Sequence, residues 1–548
     1  MKGRLDRRPV TPLLGLVVLA SCFGDPPLAW PPRAPGSQRG GVLFLAAPDD
    51  VPTLDPALGY DSRSWMYEQH LFETLVTYDD ESRLVPQLAA GWSISDDGRS
   101  YRFTLQAGVT FSDGTRLTAA DAVGSLERVL DPKTRSQGAE YYRGIRGAAD
   151  YAAGRSEHVT GLAAPDATTL TVALDEADPL FLHKMALLFA AVVPADYARR
   201  LGDDFTDHPI GSGPFVLREW RRGERLVLAR NPRYRRNDRP FLDGIVEQSG
   251  VDSELAWLQF LSGEIDVAGI PSADFPSIRR AAAAERPGRL ISGVALVTNY
   301  LGFNCAMPPF DDRRVRQALN YAVDKDDVIA LLSGRGVVAT SFVPPGMPGY
   351  TSATRGYPYD PERARALLRE AGLGAGFATE LWTQSSDLDL KIGQKVQHDL
   401  AAVGVTMTMK QLAWSSFLEA IRQPRRVPLF DLAWSADFPD PSNFLDVLFQ
   451  SGRSDANNHT FYANPTFDRL LARARPLTDP AARNRAYAKA ERLLVDDAPV
   501  LLLYHPITYV MLQRRVHGYA LHPLLPARFT DVWLDPEPAR DQGTGAGS

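Results

Sequence analysis

The sequence predicts an α/β fold divided into more than one lobe, and three observations carry that expectation. Its 548 residues exceed what one hydrophobic core usually organises, so two or three lobes are expected. The first half is rich in strand patterns, whereas the second alternates strand with well-marked helix. Composition agrees: 44% hydrophobic and 23% charged residues suit a globular body, with disorder confined to the ends. A net charge of −6 leaves no basic field, so nucleic acid is excluded as a partner.

Lys2, Arg4, Arg7 and Arg8 precede an apolar run over residues 13–20 and then Ser21-Cys22, the layout of an export signal over residues 1–22. That run is short of the ~20 residues a membrane-spanning helix needs. Leu19-Ala20-Ser21-Cys22 resembles the bacterial lipobox, whose cysteine is lipidated and becomes the mature N-terminus; otherwise Cys22 is an incidental residue beside an ordinary cleavage site. Phe23 follows it, so an Asp-type inner-membrane retention signal is absent. Residues 23–40, rich in Pro and Gly, read as a flexible tether. The remaining cysteine, Cys305, is expected as a small buried apolar residue, and no CxxC or Cys/His cluster suggests zinc.

From residue 42 the periodicities predict a buried strand at 42–45, a loop over 49–63 and a helix near 65–76. Residues 92–105 alternate about Asp97-Gly98 as a hairpin, and strands at 215–220 and 226–229 form a second about Arg222-Gly223, with a further strand at 169–174. Val315, Ala318, Leu319, Ala322 and Val323 recur at helical spacing, predicting one helix over 311–334 that Gly334 closes. Asp360-Pro361 opens another, ended by Gly372. Strands at 377–382, 405–409 and 429–434 alternate with these helices, and residues 536–548 form a tail.

Catalytic signatures are missing: no G-x-S-x-G elbow, no H-E-x-x-H, no phosphate-loop lysine motif. Gly211-Ser212-Gly213-Pro214 reads as a plain turn. His505, His517 and His522 have no ligand spacing, and Asp96-Asp97 and Asp311-Asp312 suit a turn and a helix cap. No cofactor, metal or enzymatic activity is therefore expected. One stretch stands out, where Trp434 ends a strand and Asp437 follows in a Pro-broken loop. A carboxylate beside an indole suits an ammonium group, although a turn-starting Asp and a core Trp account for the same pattern.

Motifs over residues 42–535 resemble the family 5 extracellular solute-binding proteins, the oligopeptide-, dipeptide- and nickel-binding receptors of bacterial ABC importers. They are Thr53-Leu54-Asp55-Pro56, Leu71-Phe72-Glu73-Thr74-Leu75, Phe111-Ser112-Asp113-Gly114-Thr115, Gly211-Ser212-Gly213-Pro214-Phe215, Arg230-Asn231-Pro232-Arg233-Tyr234, Ser262-Gly263-Glu264-Ile265-Asp266 and the run from Pro309 to Ala318, in family order. The resemblance implies a periplasmic-binding-protein-like fold of type II, with two hinged lobes and an extra strand-rich domain. The first lobe would gather 41–75, 190–295 and 500–535, the extra domain 76–189 and the second lobe 296–499.

It further implies a receptor that closes on a short peptide and delivers it to permease subunits; with the lipobox at Cys22, the expectation is a monomeric protein lipid-anchored outside the bacterial membrane. Asp437 would pair with the ligand's α-ammonium beside Trp434, while Ala433 and Ser435 on the preceding strand pair with peptide main chain. Tyr60, Asp61 and Ser62, with Trp382, Thr383 and Trp414, match cleft-lining regions, and each also fits a core or turn role. Three departures bear on the ligand: Ala433 stands where Gly is common, the 430–434 segment is short, and no basic residue there awaits a ligand carboxylate. Other solutes (an oligosaccharide, opine or metal chelate), a secreted hydrolase and a signalling receptor remain as alternatives.

Overall fold

The protein is described by a computed structural model over residues 38–384, 386–452 and 457–536. The expected signal, Cys22, most of the tether and most of the tail lie outside the described residues. The expected strand at 42–45 is Val42–Ala46, which pairs in parallel with Gly244–Gln248; antiparallel Arg225–Arg230 and Phe215–Arg221 complete that sheet. Gly223 takes φ +73° in the turn of the second expected hairpin, a conformation that costs glycine least. Leu43, Tyr67, Phe72, Phe215, Leu228 and Leu512 share the core beneath this sheet.

The first expected helix is shorter than its pattern. It runs over Ser62–Leu71, and Phe72 is already extended, while Val76–Tyr78 is a strand paired with Leu84–Pro86. Its last carbonyls explain the stop: the Gly213 N–H donates to Leu71 O at 2.9 Å, so the Gly211-Ser212-Gly213 turn satisfies what a further helical turn would have. A Cβ on Gly211 would lie 2.1 Å from Leu71 O, which is why glycine stands there.

The strand-rich domain is a four-stranded antiparallel sheet in the order Ala89–Ile94, Ser100–Leu105, Thr169–Ala173, Leu162–Asp166. Tyr101, Phe103 and Leu105 alternate inward and pack with Leu126 of helix Ala119–Leu130 and with Phe181 and Phe189.

In the second lobe Phe377–Gln384, Val405–Leu412 and Leu429–Ser435 run parallel, and Val297–Phe303 joins antiparallel. Residues alternate between two cores: Leu301, Leu381 and Leu429 face one set of helices, Tyr300, Trp382 and Phe430 the other. The single helix expected over 311–334 is two, Arg313–Ala322 and Lys325–Leu331. Asp324 caps the second by accepting from Asp326 N, and the buried Lys325 ammonium donates to Asn320 O at 2.7 Å and Tyr357 O at 3.0 Å. Periodicity continues across the break because both helices contribute apolar residues, Leu319 and Val328 among them, to the same core, so the break is silent in the pattern. Cys305 is half-buried as a residue rather than fully buried, and burial of its sulfur pushes the thiol up to about 11.

Two strand tracks cross between the lobes. Strand Val500–Leu512 pairs first with Val297–Phe303 (Leu301 opposite Leu501) and then with Arg289–Val294 (Val294 opposite Ile507). Strand Val500–Leu512 runs unbroken through Pro506, which pairs with Gly336, while the partner track is interrupted at Ala295-Leu296 between Arg289–Val294 and Val297–Phe303.

Candidate functional site

The end of strand Leu429–Ser435 is built to present one carboxylate. Ala436 N donates to Leu296 O at 2.9 Å, holding the chain against the Ala295-Leu296 interruption. Four residues on, Asp440 is clamped by Arg483, with Nε to Oδ2 at 2.7 Å and Nη2 to Oδ1 at 3.0 Å, both side chains buried. Asp440 Oδ1 also accepts from Ser442 N at 2.9 Å, where helix Ser442–Phe449 begins after Pro441. Asn443, fully buried in that first turn, accepts from the Trp434 indole N–H at 3.2 Å and from Asp437 N at 3.0 Å, and its Nδ2 donates to Asp437 Oδ2 at 3.0 Å.

Asp437 meets all three parts of the fold. Tyr60, in the loop before helix Ser62–Leu71 of the first lobe, donates to Oδ1 at 3.3 Å; Tyr141, in helix Ala139–Tyr142 of the strand-rich domain, donates to Oδ2 at 3.0 Å. The two phenol oxygens lie 2.8 Å apart. Burial pushes the Asp437 carboxyl above its ordinary value, against the pull of the bonds from Asn443, Tyr141 and Tyr60. Burial, and then the Asp437 charge, raise both phenols above theirs, so they stay protonated donors. The hydrogen-bond partners of this carboxylate among the described residues are neutral, which leaves its charge uncompensated and attractive to a cation.

Aromatic packing fixes the phenols. Phe189 lies 5.3 Å from the Tyr60 ring and 6.0 Å from the Tyr141 ring, and Trp65 lies 5.9 Å from Tyr60. Gly138 permits this, because a Cβ there would sit 2.3 Å from the Phe189 ring. Asp437 borders two cavities. One, of about 630 Å³, lies between the strand-rich domain and the second lobe and is walled by Tyr60, Tyr141, Leu180, Trp434, Phe438 and Asn443. The other, of about 350 Å³, reaches Trp65, His70 and Leu524.

The structure thus brings together Tyr60, Trp434 and Asp437 of the expected site residues. Ala433 and Ser435 are exposed on the same strand, in register with Asn299 and Val297. Asp61 instead caps its helix, accepting from Ser64 N at 2.8 Å and Ser64 Oγ at 2.7 Å, and Ser62 is exposed at the helix start. Trp382 is buried in the second-lobe core with its indole N–H on Glu380 at 3.0 Å and the Lys410 ammonium 3.8 Å over its ring; Thr383 is fully buried. Trp414 is 51% exposed at the start of helix Trp414–Ile421. None of these last five residues lines the cavities beside Asp437.

Sequence reasoning missed Tyr141, Phe189 and Asn443. Tyr141 sits in a four-residue helix and no spacing marks it; Asn443, six residues after Asp437 behind a Pro-started helix, carried the one local signal. The histidines of the C-terminal region have separate partners: His505 meets Val297 O, His517 meets Asp535 and His522 meets Asp79 O. Among the described residues no set of His, Cys, Asp and Glu is arranged to hold a metal ion, and no helix is long and apolar enough to cross a membrane.

Comparison with known proteins agrees with this architecture. Residues 83–456 match the family model described as bacterial extracellular solute-binding proteins, family 5 middle. The chain is 29% identical to the dipeptide-binding protein of Escherichia coli K12, over 86% of this chain and 92% of the relative. It is 31% identical to a probable deoxycholate-binding periplasmic protein of the same organism, over 86% of this chain and 89% of the relative. Among solved structures, a clavulanic acid biosynthesis oligopeptide binding protein superposes with a TM-score of 0.82 at 27% identity, covering 91% of this chain and 96% of that one. On its fold, its motif order and these likenesses, the chain belongs to the family 5 bacterial extracellular solute-binding proteins.

Proposed function

We propose that this protein is the solute receptor of an ABC importer, capturing short peptides by closure of its lobes and handing them to a membrane permease. The observation that carries the reading is Asp437: a carboxylate whose protein partners are neutral donors, drawn from both lobes and the extra domain. An α-ammonium supplies the missing charge, and closing the cleft strengthens that pairing by excluding water. Trp434 contributes apolar cover, and Ala433 and Ser435 offer main chain to an extended ligand. The peptide-binding names of two relatives support this solute class. A bile acid, as named for another relative, brings a carboxylate toward Asp437, so the site's charge disfavours it.

Around this site the lobes are read as 41–75, 190–295 and 500–535 for the first, 296–499 for the second and 76–189 for the extra domain. Lipidation at Cys22 would tether a monomeric, non-catalytic receptor on the outer side of the membrane. The test is calorimetric titration of the mature protein with free and N-acetylated di- and tripeptides. Asp437→Asn is expected to weaken free-amino peptides about 10- to 100-fold, the worth of a charge-assisted bond, and to leave acetylated ones unchanged. Equal effects on both peptide classes would rule out the ammonium anchor.

A further inference from the structure

Six carboxylates line the larger cavity beside Asp437: Glu140, Asp175, Glu176, Asp178, Asp446 and Asp437 itself. Two cations, Lys184 and Arg475, face them, and both are engaged. Lys184 Nζ lies 2.6 Å from Asp178 Oδ2, and Arg475 Nε donates to Asp446 Oδ1 at 2.9 Å. Glu140 pairs with Arg143 at 2.6 Å, a residue outside the cavity wall. Asp175 and Glu176, exposed where the chain leaves strand Thr169–Ala173, make no ion pair among the described residues. Opposite them, Asp446 is only 8% exposed and is held by Arg475, so its charge is already met within the protein. Between these acids lie Pro179, Leu180, Phe438 and Val447, apolar surface of the kind that accepts a methylene stem.

Resting on the ammonium-anchor reading, we infer that this cavity selects short peptides with a lysine or arginine side chain close to the amino terminus. The α-ammonium sits at Asp437, and the second cation lies along the cavity toward Asp175 and Glu176, the two lining acids without an ion pair among the described residues. Acids of the strand-rich domain and acids of the second lobe face each other across the ligand, so a second positive charge favours the closed form and a negative one opposes it. Asp175 and Glu176 are exposed, so salt weakens their share of the selectivity.

The test is calorimetric titration of the mature protein with Ala-Lys-Ala, Ala-Ala-Ala and Ala-Glu-Ala at low and high salt. The lysine peptide is expected to bind about five- to tenfold tighter than the alanine peptide at low salt, and the glutamate peptide more weakly than either. High salt and the double substitution Asp175→Asn/Glu176→Gln each bring the lysine-to-alanine ratio toward one. Equal affinity for all three peptides, with Asp437→Asn still weakening each, overturns the basic-peptide selectivity and leaves the anchor standing. Failure of all three to bind overturns both.

Discussion

Asn443 holds Asp437 at two points: its Oδ1 accepts the Asp437 main-chain N–H at 3.0 Å and its Nδ2 donates to the Asp437 carboxylate at 3.0 Å. The same Oδ1 accepts the Trp434 indole N–H at 3.2 Å, so one buried amide sets the positions of both residues that the sequence singled out. Asn443→Ala removes all three bonds and leaves both the Trp434 indole N–H and the Asp437 main-chain N–H without their acceptor. The expected cost is about 1–3 kcal/mol of stability, read by chemical denaturation, together with weaker peptide binding. Unchanged affinity in a folded variant would show that Asp437 is oriented by the strand alone.

The Asp440–Arg483 pair is the second support of the loop, with both side chains almost wholly buried. Arg483→Met strands the carboxylate, and the expected loss is about 3–5 kcal/mol. Asp440→Asn combined with Arg483→Met leaves no charge uncompensated. That double variant is expected to unfold at higher denaturant than Arg483→Met, and the reverse order would show that the arginine acts through packing.

Gly213 sits where the chain presses against the end of helix Ser62–Leu71. A Cβ there would lie 2.4 Å from His70 O, a backbone atom that cannot turn aside. Gly213→Ala should destabilise the first lobe by about 1–3 kcal/mol, measured by denaturant midpoint. A neutral result would mean that the helix end shifts freely.

Asp431 has no role in the anchor but titrates unusually. Burial, reinforced by the charge of Asp389, pushes its carboxyl up to about 8. An unfolded aspartate titrates near ~4, so the native state holds a proton that the unfolded chain releases between those values, and stability falls as pH rises through the window. Asp431→Asn removes that slope: parent and variant should melt alike near about pH 4, and the variant should melt higher near about pH 9. Equal melting at the higher pH would show an ordinary carboxyl.

Binding should also move a proton at Asp437. Its carboxyl lies above the ordinary range in the ligand-free protein, and an ammonium partner draws it down. Titrations in buffers of different ionisation enthalpy should therefore report proton release on peptide binding at mildly acidic pH, absent in Asp437→Asn.

Local chemistry determined much of this protein from sequence alone. Alternation and turn residues located the hairpins and the parallel strands of the second lobe, because a strand's two faces and a glycine turn are written in adjacent residues. Trp434 and Asp437 were legible for the same reason, as a strand end followed by prolines. Helix ends were less so: the stop at Leu71 depends on Gly213, far along the chain, and the break at Asp324 on Lys325 reaching Tyr357. Only the tertiary structure decided the rest of the site. Tyr60 and Tyr141 reach Asp437 from 377 and 296 residues away, and the acids facing each other across the cavity come from different domains. Such partners leave no periodic trace, because a side-chain hydrogen bond across a cleft is fixed by how whole lobes pack and not by the residues next to it in the chain.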